Sequence, residues 1–471
     1  MSAAPADTVG EPAPRRHLAL GASFSLLAQL GPMGALAILS IVVGRMFGPA
    51  GNGELSLLTA TLEITTMIAG LGLMGGITYY VSHGRWSARK AGRDTLRAAG
   101  ALGVAGAAGA LIVYAITRDD ALSGVSGGLF LISVAAVPFM LTWQFVGAIA
   151  LGRERYEPYA AFQVLQAFTL LVVGVALAFP LDLEGVVIGL LASHVAGALF
   201  AVYWIARYSH SDVDRAARGR PGIDEGGELR KAVSFGLRSW SANLMQVLNY
   251  RLDLFILGAI AGNAELGVYA VALAVTGLGW LLPSALEVVL FPRTATLDAA
   301  VRSGELGGEQ SDAPVISAVH HTVLLLVPTA LLLAAFLIVG VPLLYGPRFD
   351  DTVVLGLILI PGVLGLGLAK VLSAVFTGRG FPQYALYATL IAVPITIGLY
   401  FALIPPLEAT GAAIASCASY LLTTGLSMVF FKRATAIPLR RALVPGRRDL
   451  ADYGDAWRRI RALVAARRSA R

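Results

Sequence analysis

The sequence predicts an all-α polytopic membrane protein, with twelve transmembrane helices in two six-helix lobes. Three observations predict it. The 471 residues are 56% hydrophobic and only 14% charged, where soluble domains carry roughly 25% charged residues. The apolar residues gather into runs of about the 20 needed to cross a bilayer. Short glycine-containing segments also recur at equivalent points of the two halves.

The predicted spans are 20–43, 55–81, 97–117, 127–151, 159–180, 184–206, 232–260, 266–291, 319–344, 353–376, 384–404 and 409–431. Glycine and proline inside them do not argue against helix, because both are commoner in membrane helices than in soluble ones. Pro32, Pro138, Pro283, Pro328 and Pro361 are expected to mark bends. Residues 18–206 make the N-lobe and 232–431 the C-lobe. Residues 1–17 form a polar N-terminal segment, 207–231 a charged linker (RGRPGIDEGGE) and 432–471 a basic tail. The first apolar run is too long for a cleavable signal and is expected to direct insertion itself.

Arginines set the direction. Arg15, Arg16, Arg85, Arg89, Lys90, Arg93, Arg153, Arg155, the linker, Arg293, Arg379 and the tail lie on one side. Arg45, Arg118 and Arg348 lie on the other, beside Asp119, Asp120, Asp350 and Asp351. The positive-inside rule makes the first side cytoplasmic, and an even number of spans then leaves both termini there. The expected location is a bacterial plasma membrane. The net charge of +7 is confined to loops and tail, where topology accounts for it, so nucleic acid is not an expected partner. Cys417 stands alone, which excludes an internal disulfide framework. In the tail, WRRIRALVAARR places Trp457, Ile460 and Val464 at helical spacing, as in a helix lying on an anionic leaflet; a disordered basic tail accounts for it equally.

GRMFGPAGNGELS begins at Gly44 and GAIAGNAELGVYA at Gly258. A shift of 214 residues pairs Gly44 with Gly258, Gly48 with Gly262 and Gly53 with Gly267. GRERYEPYA from Gly152 is echoed by GRGFPQYA from Gly378, after the fourth span of each half. Six spans per half put both halves in the same orientation. A pseudo-two-fold axis along the membrane normal follows, as in transporters built from parallel repeats.

RLDLFILGAIAGNAELGVYAVA (251–272) and VVLFPRTATL (288–297), with VGRMFGPAGNGELSLL and LGRERYEPY in the first half, resemble bacterial polysaccharide exporters. These are the oligosaccharide flippases of the multidrug/oligosaccharidyl-lipid/polysaccharide exporter superfamily, and the likeness runs through all twelve spans. It implies a protein that moves a polyprenyl-diphosphate-linked oligosaccharide from the inner to the outer leaflet, with two lobes around a cavity walled by spans one, two, seven and eight. Its partners would be that lipid, the surrounding membrane and glycan-assembly enzymes. Lipid II flippases usually add two spans after the twelfth, and cation-coupled multidrug exporters often carry an acid in span one; neither feature is present here.

Six charges fall within spans: Glu63, Arg238, Arg251, Asp253, Glu287 and Lys370. Charges at membrane depth are costly and mark functional sites unless they snorkel. On a regular helix Ser239, Asn243, Gln246, Tyr250 and Asp253 share a narrow arc, whereas Arg251 points about 160–200° from Asp253. The stripe faces either a cavity or a helix–helix seam. Arg251 lies about 20 Å from the inner end and either pairs with an acid or reaches the cavity. Thr59, Glu63, Thr66 and Gly70 form a similar line on span two, as do Thr276, Trp280, Ser284 and Glu287 on span eight. The candidate substrate residues are therefore Arg251, Asn243, Gln246, Tyr250, Trp280, Arg238 and Lys370. Arginine suits phosphate oxygens; amides and aromatic faces suit sugars. Asp253, Glu63 and Glu287 are candidates to take up a coupling H⁺ or Na⁺. Lys370 and Arg238 are also placed to snorkel, and His194 reads as a packing residue.

No metal-ligand cluster, nucleophile–base pair or phosphate-cradling loop stands out, and no cofactor is expected. A multidrug exporter is the nearest alternative. A membrane glycan polymerase or ligase is a third reading, which the very short outer loops disfavour.

Overall fold

A computed structural model describes residues 14–120, 122–208, 226–435, 437–446 and 449. The side chains of residues 14–29, 238, 239, 241–243, 245, 246, 248, 249, 288, 289 and 292 lie outside that description. So do the N-terminal segment, most of the 207–231 linker and the tail helix read at Trp457, Ile460 and Val464.

All regular structure among the described residues is helical: α1 Pro14–Gly70, α2 Leu73–Ser82, α3 Ala88–Thr117, α4 Gly127–Val134, α5 Val137–Gly152, α6 Tyr156–Tyr208, α7 Glu228–Gly277, α8 Leu281–Arg302, α9 Gly308–Ala335, α10 Val341–Tyr345, α11 Asp351–Gly378, α12 Gln383–Thr435 and α13 Leu439–Leu443. Among the described residues, eight stretches of helix are long and apolar enough to cross a membrane. The protein is a multi-pass membrane protein.

Four of these helices exceed one crossing. α1, α6, α7 and α12 hold 57, 53, 50 and 53 residues. An unbroken helix of that length would run about 75–85 Å at 1.5 Å per residue, against about 30 Å of hydrocarbon. Each is interrupted once by non-helical backbone: Gly48 (φ 72°, ψ −166°), Asp182 (φ 52°, ψ −139°), Gly262 (φ 81°, ψ 177°) and Glu408 (φ 49°, ψ −128°). The interruptions come in matched pairs. Gly48 and Gly262 are the repeat partners read from sequence, and their backbones agree. Asp182 and Glu408 agree likewise, each followed three residues later by a glycine, Gly185 or Gly411. A Cβ on either glycine would fall 2.0 Å from a carbonyl of the preceding arm, Leu177 or Leu403. Of the prolines expected to mark bends, Pro138 and Pro283 open new helices after a break, and Pro328 and Pro361 lie inside helices.

The chain divides into two compact units. One comprises Met1–Val43, Leu58–Arg118 and Val125–Leu244; the other comprises Gly44–Leu57, Asp119–Gly124 and Met245–Arg471. In the first, α5 packs against α2, α3 and α6 and buries Phe145, Val146 and Ile149. α3 starts at Ser87, whose side chain accepts the Lys90 N–H. The start of α7 lies tightly on α2. A Cβ at Gly72 would stand 2.5 Å from the Gly236 carbonyl, and one at Gly76 would stand 2.1 Å from that of Ala232. Trp240 Nε1 donates to the Met67 carbonyl at 2.7 Å.

In the second unit α11 packs on α8, α9 and α12, over a core that includes Val371, Leu372, Phe376 and Phe431. The two glycine hairpins also meet here, and they meet reciprocally. A Cβ at Gly53 would lie 2.0 Å from the Asn263 carbonyl, and one at Gly267 would lie 1.8 Å from the Pro49 carbonyl. Since Pro49 and Asn263 are themselves 214 residues apart, each copy presents the same two positions to the other. That reciprocity is what a local two-fold produces. Arg45 caps this end, donating to the Leu343 and Leu344 carbonyls.

Candidate functional site

α7 carries the two charges that apolar surroundings make costly. Asp253 is fully buried. A carboxylate removed from water is tolerable only with hydrogen-bond partners, and three groups of its own unit supply them. Tyr269 donates its hydroxyl to Oδ2 at 2.6 Å. Leu254 N–H donates to Oδ1 at 2.8 Å. Ser416 Oγ donates to Oδ2 at 3.4 Å and stands 2.9 Å from the Tyr269 hydroxyl. The Tyr400 hydroxyl is 3.0 Å from Ser416 Oγ. Tyr269, Ser416 and Tyr400 are as fully buried as the acid. With Tyr400 donating to Ser416 and Ser416 donating onward, every hydroxyl proton points towards Asp253. One turn along α12, Thr396 and Ser419 bond at 2.5 Å. The arrangement is a fully buried carboxylate whose charge is met by hydroxyls and one backbone N–H.

One turn before Asp253, Tyr250 enters an aromatic group. Its ring centroid is 5.6 Å from Trp280 and 6.0 Å from Tyr420, and Trp280 and Tyr420 are 6.3 Å apart. Trp280 is held by its Nε1–H to the Val363 carbonyl at 3.2 Å. The structure thus brings Tyr250 and Trp280 together, both half-buried, with the fully buried Tyr420 edge-on to each. Arg251 is half-buried and lies between these two groups in sequence. Among the described residues the direct partners of the Asp253 carboxylate are the hydroxyls and the Leu254 N–H.

Lys370 and Glu287 face each other at 3.9 Å, both partly exposed. Glu63 is half-buried on α1, in the other unit. The side chains of Arg238, Asn243 and Gln246 lie outside the described residues. His194 accepts the Trp143 Nε1–H on Nδ1 at 3.4 Å, which requires that nitrogen to be unprotonated. Sequence reasoning missed Tyr269, Tyr400, Ser416 and Tyr420. Tyr269 sits inside the second glycine segment, where the glycines drew the attention; Ser416 and Tyr420 lie on a helically spaced row of hydroxyls with Ser419, Thr424 and Ser427, an uncharged signal that the search for charges passed over, and Tyr400 lies four residues from Thr396.

Comparison with known proteins agrees with this architecture. The chain superimposes on a multidrug resistance MATE family transporter of the MOP superfamily in an inward-facing conformation, with TM-score 0.65 and 17% identity, over 87% of this chain and 98% of that one. It superimposes on the lipid II flippase MurJ in an inward closed conformation, with TM-score 0.67 and 10% identity, over 90% of this chain and 89% of that one. A MOP superfamily transporter from Pyrococcus furiosus, notable for a binding pocket of reversed polarity, aligns with TM-score 0.59 and 16% identity, over 89% of this chain and 94% of that one. These likenesses establish the fold. A search of curated proteins finds no match. The model of the polysaccharide biosynthesis protein family matches residues 18–297, well over half of the chain, including both glycine segments, α7 and most of α8. The chain therefore belongs to the polysaccharide biosynthesis protein family, built on the fold of the MOP superfamily transporters.

Proposed function

We propose that the protein is a flippase that moves a polyprenyl-diphosphate-linked oligosaccharide from the cytoplasmic to the outer leaflet, by alternating access of two six-span lobes, for cell-surface polysaccharide assembly. The observation that carries the reading is the Tyr250–Trp280–Tyr420 aromatic group beside Arg251 and Asp253, in a chain of a polysaccharide biosynthesis family. Aromatic faces suit sugar rings, and a guanidinium suits diphosphate oxygens. The four overlong helices, each read as two spans joined at its break, give twelve spans with the four single ones. The basic loops are then cytoplasmic, with both termini.

Of the three acids considered for coupling, we assign the role to Asp253, with H⁺ or Na⁺ as the ion. Glu287 is matched by Lys370, whereas Asp253 sits among hydroxyls that can rearrange around a bound cation or proton. The test is a flipping assay in proteoliposomes with a fluorescent lipid-linked oligosaccharide. Arg251→Ala and Asp253→Ala are expected to slow flipping by about five- to a hundredfold, the range of typical coupling free energies, at unchanged membrane insertion. Full activity of both variants would overturn the assignment. The fold is shared with multidrug exporters, so the same strains are scored for drug resistance and for surface glycan. Loss of glycan on deletion, with resistance unchanged, excludes the exporter reading.

A further inference from the structure

A second polar site lies in the first unit, at the start of α7, away from Asp253 and the aromatic group. Tyr80, Gly226, Gly227, Arg230, Lys231, Ser234 and Phe235 line an open recess of about 560 Å³, within the usual range of ligand sites, about 300–1,000 Å³. The charged side chains among its described lining residues, Arg230 and Lys231, are both basic. The nearby acid, Glu228, is buried and already engaged: Lys90 Nζ lies 3.0 Å from one of its oxygens, and the Gly226 N–H donates to the other at 2.7 Å. Burial alone would raise this carboxyl, but its own backbone N–H, Lys90 and Gly226 outweigh that and hold it below the usual glutamate range. Glu228 is therefore a spent anion.

Arg230 and Lys231 are exposed. Among the described residues Arg230 has no ion-pair partner, and the hydroxyls of Ser234 and Tyr80 make no hydrogen bond. Arg230, Lys231, Ser234 and Tyr80 are thus the polar side chains of the lining. Phe235 is its apolar one: it stacks on Tyr79 at 4.3 Å and meets Tyr80 edge-on at 6.3 Å. Aromatic rings beside cations, at the end of an apolar helix, are the composition of a membrane–water boundary. A guanidinium with adjacent hydroxyls matches phosphate oxygens, and basic pockets at this level take up lipid headgroups.

We infer that this recess binds the phosphate ester of a membrane lipid, with Arg230, Lys231, Ser234 and Tyr80 on the phosphate and Phe235 beside the first carbons of the lipid. The same chemistry is offered by a polyprenyl diphosphate and by an anionic phospholipid headgroup. The site shares no residue with those assigned to transport, and its test reads binding, not flipping.

The full-length protein in detergent is titrated with inorganic pyrophosphate by calorimetry. It is also titrated by native mass spectrometry with a polyprenyl diphosphate and, in a separate arm, with phosphatidylglycerol. The double variant Arg230→Ala/Lys231→Ala is expected to weaken binding roughly ten- to a hundredfold, the loss of charge-assisted hydrogen bonds. Ser234→Asp, which places an anion in the recess and leaves the Lys90–Glu228 pair intact, is expected to weaken it as well. Lys432→Ala/Arg433→Ala removes equal charge at the end of α12 and is expected to change nothing. Loss confined to pyrophosphate and polyprenyl diphosphate assigns the recess to the diphosphate lipid. Loss confined to phosphatidylglycerol assigns it to bulk phospholipid, and equal loss in all arms makes it a general phosphate site. Unchanged binding in the Ser234→Asp variant, or an equal loss in the Lys432/Arg433 control, overturns the proposal.

Discussion

Asp253 stands out in the sequence because a charge at that depth needs a reason, yet the reason lies on other helices. Its partners come from sixteen residues along the chain (Tyr269) and from the last hairpin (Ser416, with Tyr400 behind it). Ser416 belongs to a helically spaced row of buried hydroxyls with Ser419, Tyr420, Thr424 and Ser427, but spacing along one helix does not say which other helix the row faces, so its pairing with Asp253 was not legible before the fold brought them together. The Tyr250–Trp280 pairing was partly legible, because both fell on the polar stripes singled out for their charges; the uncharged row that holds Tyr420 was not singled out. The geometry ranks the hydroxyls. Tyr269→Phe removes a direct bond to a buried carboxylate and is expected to cost about 1.5–3 kcal/mol, whereas Tyr400→Phe removes a neutral bond one step further out, at about 1 kcal/mol. Thermal unfolding of the purified variants checks the order, and an equal effect of the two would refute a network centred on Asp253.

At the scale of elements, the glycine segments were legible as a repeat, and their purpose becomes physical in the structure. Gly48 and Gly262 hold backbone with positive φ and extended ψ, a region essentially confined to glycine, and this is what interrupts α1 and α7. The second pair of interruptions, Asp182 and Glu408, escaped the sequence reading because neither is glycine, although Gly185 and Gly411 three residues on mark the same turn. Gly48→Ala and Gly262→Ala are each expected to destabilise by about 1–3 kcal/mol. Gly48 should be the more sensitive, since its added methyl also meets Arg348 Nη1 at 3.3 Å, while Gly262 faces open space. Gly277 is helical (φ −56°) with nothing within 4 Å of a built Cβ, so Gly277→Ala should be neutral or stabilising by up to about 1 kcal/mol. Melting temperatures decide this; a Gly262→Ala protein as stable as Gly277→Ala would remove the backbone argument.

For the whole molecule, composition and run length suffice to read a multi-pass helical membrane protein, because every backbone polar group in lipid must be satisfied within its own helix. That four turns shrink to a single non-helical residue was not legible. At Gly48, Asp182, Gly262 and Glu408 one helix ends and the next begins, with no longer loop between them. Orientation rests on the arginine asymmetry, and cysteine accessibility tests it. In a Cys417→Ala background, Asp120→Cys and Leu407→Cys sit at exposed turns on the arginine-poor side, while Arg85→Cys and Ser303→Cys sit at exposed turns on the basic side. A membrane-impermeant maleimide added to intact cells should modify the first pair and reach the second only after the membrane is opened. Because Leu407 is next to the break at Glu408, its labelling also tests whether α12 turns back outside the bilayer. A straight helix through that point would leave Leu407 protected from the reagent, and labelling of Arg85→Cys in intact cells would invert the topology on which the direction of transport depends.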